Sequence, residues 1–336
     1  MLKLLLCCAL FAGGYAFNHG QAQLDFEAYM RDFHKEYANS AEQNNAQYYY
    51  NYHKNLITQH EALANRNASS YHVKLNQFSD IRLKTFAARL PQSVYPSNSF
   101  HTMMPVPPMD QAPPQFDMLA NTMTLTAQDQ GTVCSSSWAY SLAKSVQIMN
   151  ALQTSNMKPL NISAQSLIDC AGMGTGCTTQ VPQIGFDYLT QNPGTSLVTE
   201  TEYPPNNSIN HEGMCLPTMT ASNIVVESYG IIADSNDNLL MRYVASGFPV
   251  IVEYNPATFG FMHYSSGVYV PPVHAQASSS QFLVILGYGH DTQSNLNYWR
   301  AVNSFGSTWG EDGFIKIVRS PTQPIAKRAI FPNTLI

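Results

Sequence analysis

QGTVCSSSWAYSLAKSVQ, from Gln130 to Gln147, is the stretch that decides the fold. Small polar residues lead without a break into an apolar pattern of helical period. Ala139, Leu142, Ala143, Val146 and Met149 share one face, which predicts a helix over Trp138 to Leu152. Ser135 or Ser136 is placed to cap it. Ser137 stands at the helix start, where unpaired N–H groups and the helix dipole favour negative charge. A serine hydroxyl is too weak an acid for a helix end alone to ionise, so chemistry there needs a base within hydrogen-bond reach.

Working outward, ISAQSLIDC and the run from Val181 to Gln191 read as further helices. After about Ser222 the period changes. SNIVVESYGII, FPVIVEY, SGVYV, QFLVILGYG, NYWRAVNS and GFIKIV are short β-rich runs bounded by Gly, Pro, Asn and Asp. Upstream, residues 24–90 are polar and Tyr/Asn-rich. Phe26, Tyr29, Phe33 and Tyr37 recur at helical steps, and a second helix is expected over about Ala41 to Leu63. Pro and Met dominate residues 91–114, an extended linker composition and a plausible processing site.

The 336 residues are 44% hydrophobic and 12% charged, with a formal charge of −5. That size supports a large core, and either two domains or one large domain with an appendage. The acidic balance and the lack of any Lys/Arg run argue against nucleic acid as a partner. MLKLLLCCALFAGGYAF reads as a secretory signal over residues 1–16, and its apolar run is too short to span a bilayer. Four cysteines then remain, Cys134, Cys170, Cys177 and Cys215, which read as two disulfides with three possible pairings. Asn67, Asn161 and Asn206 open glycosylation sequons. No cysteine pair has the short spacing to histidines that zinc requires, and neither metal nor cofactor is expected.

The segment around Ser137 resembles the nucleophile segment of papain-like cysteine proteases, QG-x-CGSCWAFS, with serine in place of cysteine. SQFLVILGYG, Ser280 to Gly289, resembles the family strand that carries the catalytic histidine, and Gln281 stands at that position. Asn303 in NSFGSTWG matches the asparagine that orients the histidine, and is expected to bond Gln281 or backbone. Phe305 replaces the shielding tryptophan. Gln130 matches the glutamine of the oxyanion hole, although the loop to Cys134 is one residue longer than the pattern and leaves room to displace it. Trp138 lines the substrate cleft. So do Thr179 and Gln180, which take the places of cleft glycines and are expected to narrow it. Glu42, Tyr50 and Ile57 fit the ERFNIN spacing of the family's propeptides, while Ala46, His53 and Glu61 occupy the remaining positions. KLNQFSD, Lys74 to Asp80, resembles a second propeptide element.

The resemblance implies an α+β fold with a helical lobe and an antiparallel, barrel-like lobe, preceded by a helical propeptide. The domains are then 1–16 signal, 24–90 propeptide, 91–114 linker and 115–336 peptidase-like domain. It also implies the pairings Cys134–Cys177 and Cys170–Cys215, each stabilising by about 2–5 kcal/mol. The functional expectation is a secreted or lysosomal, monomeric, inactive homologue. It acts by binding a protein or peptide, such as a protease or a protease inhibitor. Two alternatives stand beside it. One is a weak serine-type hydrolase in which a relocated histidine, His263, His274 or His290, serves Ser137. The other is a secreted storage or structural protein. In the leading reading these three histidines are ordinary surface or loop residues.

Overall fold

The computed structural model describes residues 22–90, 93, 112–120, 123–155, 159–178, 180–191, 195–205, 213–216, 224–232, 236–272 and 279–336. The signal at 1–16, most of the linker, Thr179, Asn206 and His274 lie outside the described residues.

The chain opens with a helical hairpin, α1 (22–32) and α2 (Ser40–Ala64). A reciprocal cap starts α2. Asn39 Oδ1 accepts the Glu42 N–H at 3.0 Å, and the Glu42 carboxylate accepts the Ala38 N–H at 2.8 Å. Phe26, Tyr29, Ala46 and Tyr50 form a small core of their own, against which Phe33 and Tyr37 pack. A short strand, β1 (Tyr71–Val73), and helix α3 (Leu83–Ala88) follow. Phe78, Phe86 and Leu90 enter the main core, so the N-terminal part is joined to the rest by buried apolar surface.

The remaining elements are β2 (Phe116–Asp117), α4 (Ser137–Thr154), α5 (Ala164–Cys170), α6 (Pro182–Gln191) and β3 (Val226–Ile231), then α7 (Asp237–Ala245), β4 (Val250–Tyr254), α8 (Phe259–Met262) and β5 (Tyr264–Tyr269), and finally β6 (Gln281–Asp291), β7 (Leu296–Val302), β8 (Phe314–Val318) and β9 (Ile330–Leu335). The sheet runs β1-β5-β8-β7-β6-β4-β9-β3, with β2 also on β6. One pairing departs from the antiparallel expectation: β5 and β8 run parallel, with Val268 opposite Lys316. Both faces of central β6 are covered, and residues 281–289 are all buried, which is why FLVIL reads as an unbroken apolar run.

Strand β9 went unread in the sequence because Pro332 interrupts it. The ladder to β3 tolerates it through irregular register near Ser228 and Tyr229. Both disulfides pair as the resemblance implied, Cys134–Cys177 and Cys170–Cys215. His263 is a correction. The expected surface or loop residue is fully buried beneath α2, because the helical hairpin lies over it.

Among the glycines required by close approach are Gly267 and Gly313. At Gly267 (φ +83) a Cβ would lie 2.5 Å from the Ser70 carbonyl, against which β1 is laid. At Gly313 (φ +89) it would lie 2.0 Å from the Ala127 Cβ, and the Gly313 carbonyl accepts the Asn303 N–H at 3.0 Å. Gly313→Ala combines a left-handed backbone with a steric overlap. It should lower unfolding free energy by about 2 kcal/mol or more, read as a drop in the urea midpoint at unchanged slope.

Candidate functional site

Helix α4 presents its first residue to the start of β6. Ser137 is 4% exposed, and its Oγ accepts the Phe282 N–H at 3.3 Å. The helix end is held from the other side by the Cys134–Cys177 bridge, by the Ser135 N–H on the Cys177 carbonyl at 3.2 Å, and by Trp138 Nε1–H on the Gly176 carbonyl at 2.8 Å. Neither expected hydroxyl caps the helix. Ser136 is the N-cap residue but makes no side-chain cap bond, and its Oγ turns to the Cys134 carbonyl. The Ser135 Oγ donates instead to the Arg89 carbonyl at 2.5 Å.

Gln281 is fully buried beside this point. Its Nε2 donates to Asn303 Oδ1 at 2.7 Å, and to Gln130 Oε1 and Ser304 Oγ at 3.1 Å each. Ser304 closes the ring: its Oγ donates to Gln130 Oε1 at 2.5 Å, and its carbonyl accepts the Gln130 N–H at 2.9 Å. The longer loop after Gln130 therefore leaves that side chain within the cluster. Gln281 Oε1 and Asn303 Nδ2 are buried without a protein partner. The structure thus brings Ser137, Gln281, Asn303 and Gln130 together and adds Ser304. The sequence reading missed Ser304, although it directly follows Asn303. Phe305 is buried against Phe78, Phe86, Phe261 and Trp309. Gln180 bonds the Thr175 hydroxyl.

Amides and hydroxyls exchange hydrogen bonds but do not take up a proton near neutral pH. Among the described residues no imidazole bonds Ser137. His263 approaches Ser79, and the exposed His290 pairs with Asn297 Oδ1. The third candidate, His274, lies outside the described residues. No described group of three or more His, Cys, Asp or Glu is arranged to hold a metal.

The N-terminal part covers this cluster from both walls. The Ser280 N–H donates to the Leu90 carbonyl at 3.2 Å, Ser279 Oγ donates to the Ala87 carbonyl at 3.1 Å, and the Ser93 N–H donates to Ser280 Oγ at 3.1 Å. Between Leu90 and Gln130 remains a cavity of about 10 Å³, at the lower limit for one water.

This geometry can be set beside known proteins. The family described as papain family cysteine protease matches residues 112–333. The chain belongs to that family. The probable cysteine protease RDL6 of Arabidopsis thaliana is 29% identical over 334 residues, covering 96% of this chain and 89% of that protein. Zingipain-2 of Zingiber officinale is 29% identical over 221 residues, covering 66% of this chain and 94% of its own. Among solved structures, digestive procathepsin L2 proteinase from the larval midgut of Tenebrio molitor superposes with a TM-score of 0.80 at 23% identity, over 93% of this chain and all (100%) of that one. Recombinant stem bromelain precursor does so with 0.75 at 24%, over 93% and 99%. At that identity the likeness concerns the fold, and it extends to the helical N-terminal domain of a papain-family proform.

Beneath the cleft, the papain-family helix α4 carries a lysine inside the core. Lys144 is 4% exposed, and its Nζ donates to the Thr126 carbonyl at 2.9 Å and to Gln147 Oε1 at 2.7 Å. It lines a second small cavity together with Ser141, Asn303 and Ser304. Burial pushes its pKa down to about 7, partly offset by the Glu200 carboxylate. Above that pH the unfolded chain, near the ordinary 10.5, holds a proton that the folded chain has released. Stability therefore rises with pH from about 7 upwards, by at most about 1.4 kcal/mol per pH unit. Urea unfolding should gain about 2 kcal/mol between pH 7 and 9, and this slope should vanish in Lys144→Met.

Proposed function

We propose that this papain-family chain is catalytically silent and works by binding. The observation that carries the reading is the partnering of Ser137 and Gln281. The hydroxyl at the helix start faces a backbone N–H, and the side chain beside it is an amide committed to Asn303, Gln130 and Ser304. In this reading Ser137 and Gln281 occupy the family's nucleophile and base positions, Asn303 is the orienting residue and Gln130 the oxyanion donor. Loss of nucleophile or base from such a unit removes about six orders of magnitude in turnover, and loss of both removes little more.

The ligand is a protein or peptide, of the kind represented by a protease or a protease inhibitor. Residues 24–90 act as a propeptide, which shields the cleft until it leaves and meanwhile offers its own helical surface. A secreted or lysosomal destination is supported by the signal-like start and by two formed disulfides. The sequon asparagines Asn67 and Asn161 are exposed, although Ile162 and Ser163 of the second sequon are buried. A monomer without metal or cofactor completes the proposal, and no described helix is long and apolar enough to cross a membrane.

The test is peptide hydrolysis by linker-cleaved protein. The wild-type chain should give no turnover above buffer, whereas Ser137→Cys combined with Gln281→His should gain at least about 10³-fold. Wild-type turnover that disappears in Ser137→Ala would overturn the proposal.

A further inference from the structure

Behind the cleft floor, between α4 and the strands β6 and β7, lies the second cavity of about 10 Å³. Gln128, Lys144 and Asn303 line it together with the apolar Phe282, Val284 and Val302. Two of its amides are left short of a partner in opposite senses. Asn303, 4% exposed, buries Nδ2 with no protein partner, and Gln128 buries Oε1 in the same way. Turning either amide round makes matters worse. Asn303 Oδ1 accepts from Gln281 Nε2 at 2.7 Å and from the Ser304 N–H at 2.8 Å, so a reversed amide would set its NH2 against two donors. Gln128 Nε2 donates to the Glu200 carboxylate and to the Ile162 carbonyl at 3.5 Å, so reversal would set oxygen against oxygen. The lining therefore carries one unused donor and one unused acceptor.

Lys144 adds a third polar group. Its ammonium has three N–H donors, of which two go to the Thr126 carbonyl and to Gln147 Oε1. The volume suits one water and leaves no room for a polyatomic ion. The chemistry narrows the choice further. A halide would accept from Asn303 and Lys144 but would face the Gln128 lone pairs. An ammonium ion would donate to Gln128 but would face the two donors. Water both donates and accepts, and buried waters are held by two to four such partners.

We propose that this cavity binds one water molecule, which accepts from Asn303 Nδ2–H and from the third Lys144 N–H and donates to Gln128 Oε1, and that through it Lys144 acts as a positioning residue for the cleft-floor amides. The bridge joins two networks. One runs from Lys144 through Gln147 to Asn161 Oδ1, and the other is the cluster of Asn303, Gln281, Gln130 and Ser304. Gln281 holds Asn303 by its Oδ1 end and the water holds it by Nδ2. Few titratable groups face Lys144. Glu200 acts on it through space and holds Gln128, while Tyr140, one turn earlier on α4, lines the same cavity and is pushed up to about 12, chiefly by burial. The walls from β6 and β7 carry no charge. Burial brings Lys144 down to about 7, so among the lining groups it alone changes charge near neutral pH. When it loses its proton, the water turns to donate to the new lone pair while still accepting from Asn303. The bridge is independent of whether Ser137 turns anything over.

Nuclear magnetic resonance on the full-length, nitrogen-15-labelled chain tests it. The Asn303 side-chain amide should give a rotating-frame cross-peak to water, told from proton exchange by its sign. Its chemical shift should titrate with a midpoint near pH 7. Lys144→Met should abolish the titration. Gln128→Leu, which removes the acceptor and fills the cavity, should abolish both the cross-peak and the titration. A wild-type chain without the cross-peak would overturn the proposal. So would a titration that survives Gln128→Leu, because Asn303 would then feel the Lys144 charge directly. Bromide found in the cavity by anomalous scattering from soaked crystals would also overturn it, in favour of an anion. If a variant fails to fold, the wild-type cross-peak and the bromide soak decide.

Discussion

At the floor of the cleft the Phe282 N–H meets Ser137 Oγ, and at that contact the helical and β halves of the chain come together. The position of Ser137 follows from α4, which the Cys134–Cys177 bridge and the Trp138 indole fix to the neighbouring loop. The position of Gln281 follows from β6, the central strand, paired with β4 on one side and β7 on the other. Asn303 and Ser304 leave the end of β7 and are tied back through the Gly313 carbonyl and the Gln130 N–H. Apart from Gln130, which a loop supplies, each polar side chain of the cluster thus comes from a helix or strand or its immediate end.

In that setting the amide of Gln281 explains how a buried cluster of amides and hydroxyls remains ordered. An unpaired polar group in a buried cluster costs free energy. Gln281 Nε2 satisfies Asn303 Oδ1 and two further acceptors, so most of the network is closed. The remainder, Gln281 Oε1 and Asn303 Nδ2, is where the closure is incomplete. Lys144 sits just below, its Nζ bonded to the Thr126 carbonyl and Gln147 Oε1.

Much of this was legible in the residues, and the failures have physical causes. Helix α4 was read to within one or two residues at each end, because a full apolar face is a strong signal. QFLVILGYG was legible as a strand from β-branched and aromatic content alone. The meeting of Ser137 with Gln281, 144 positions later in the chain, came only through resemblance, because periodicity carries no information about distant contacts. Strand β9 was hidden by Pro332, and β1 by its length of three residues. The burial of His263 was invisible because what buries it, α2, lies some two hundred residues earlier. Ser135 looked like a cap because serine favours that position. Its hydroxyl went to Arg89 because the covering segment presents a carbonyl there.

Strand β1 has one more role. It is the outermost strand of the sheet, laid on β5 through Tyr71–Gly267 and His72–Ser266. With the N-terminal part gone, β5 becomes the border, and the Val268 N–H and carbonyl lose Ser70 as their partner. An open border of unpaired amides is a template on which another extended chain can add. Loss of the N-terminal part would therefore leave an open sheet margin at β5, and a body freed in that way would be more prone to self-association than the intact chain.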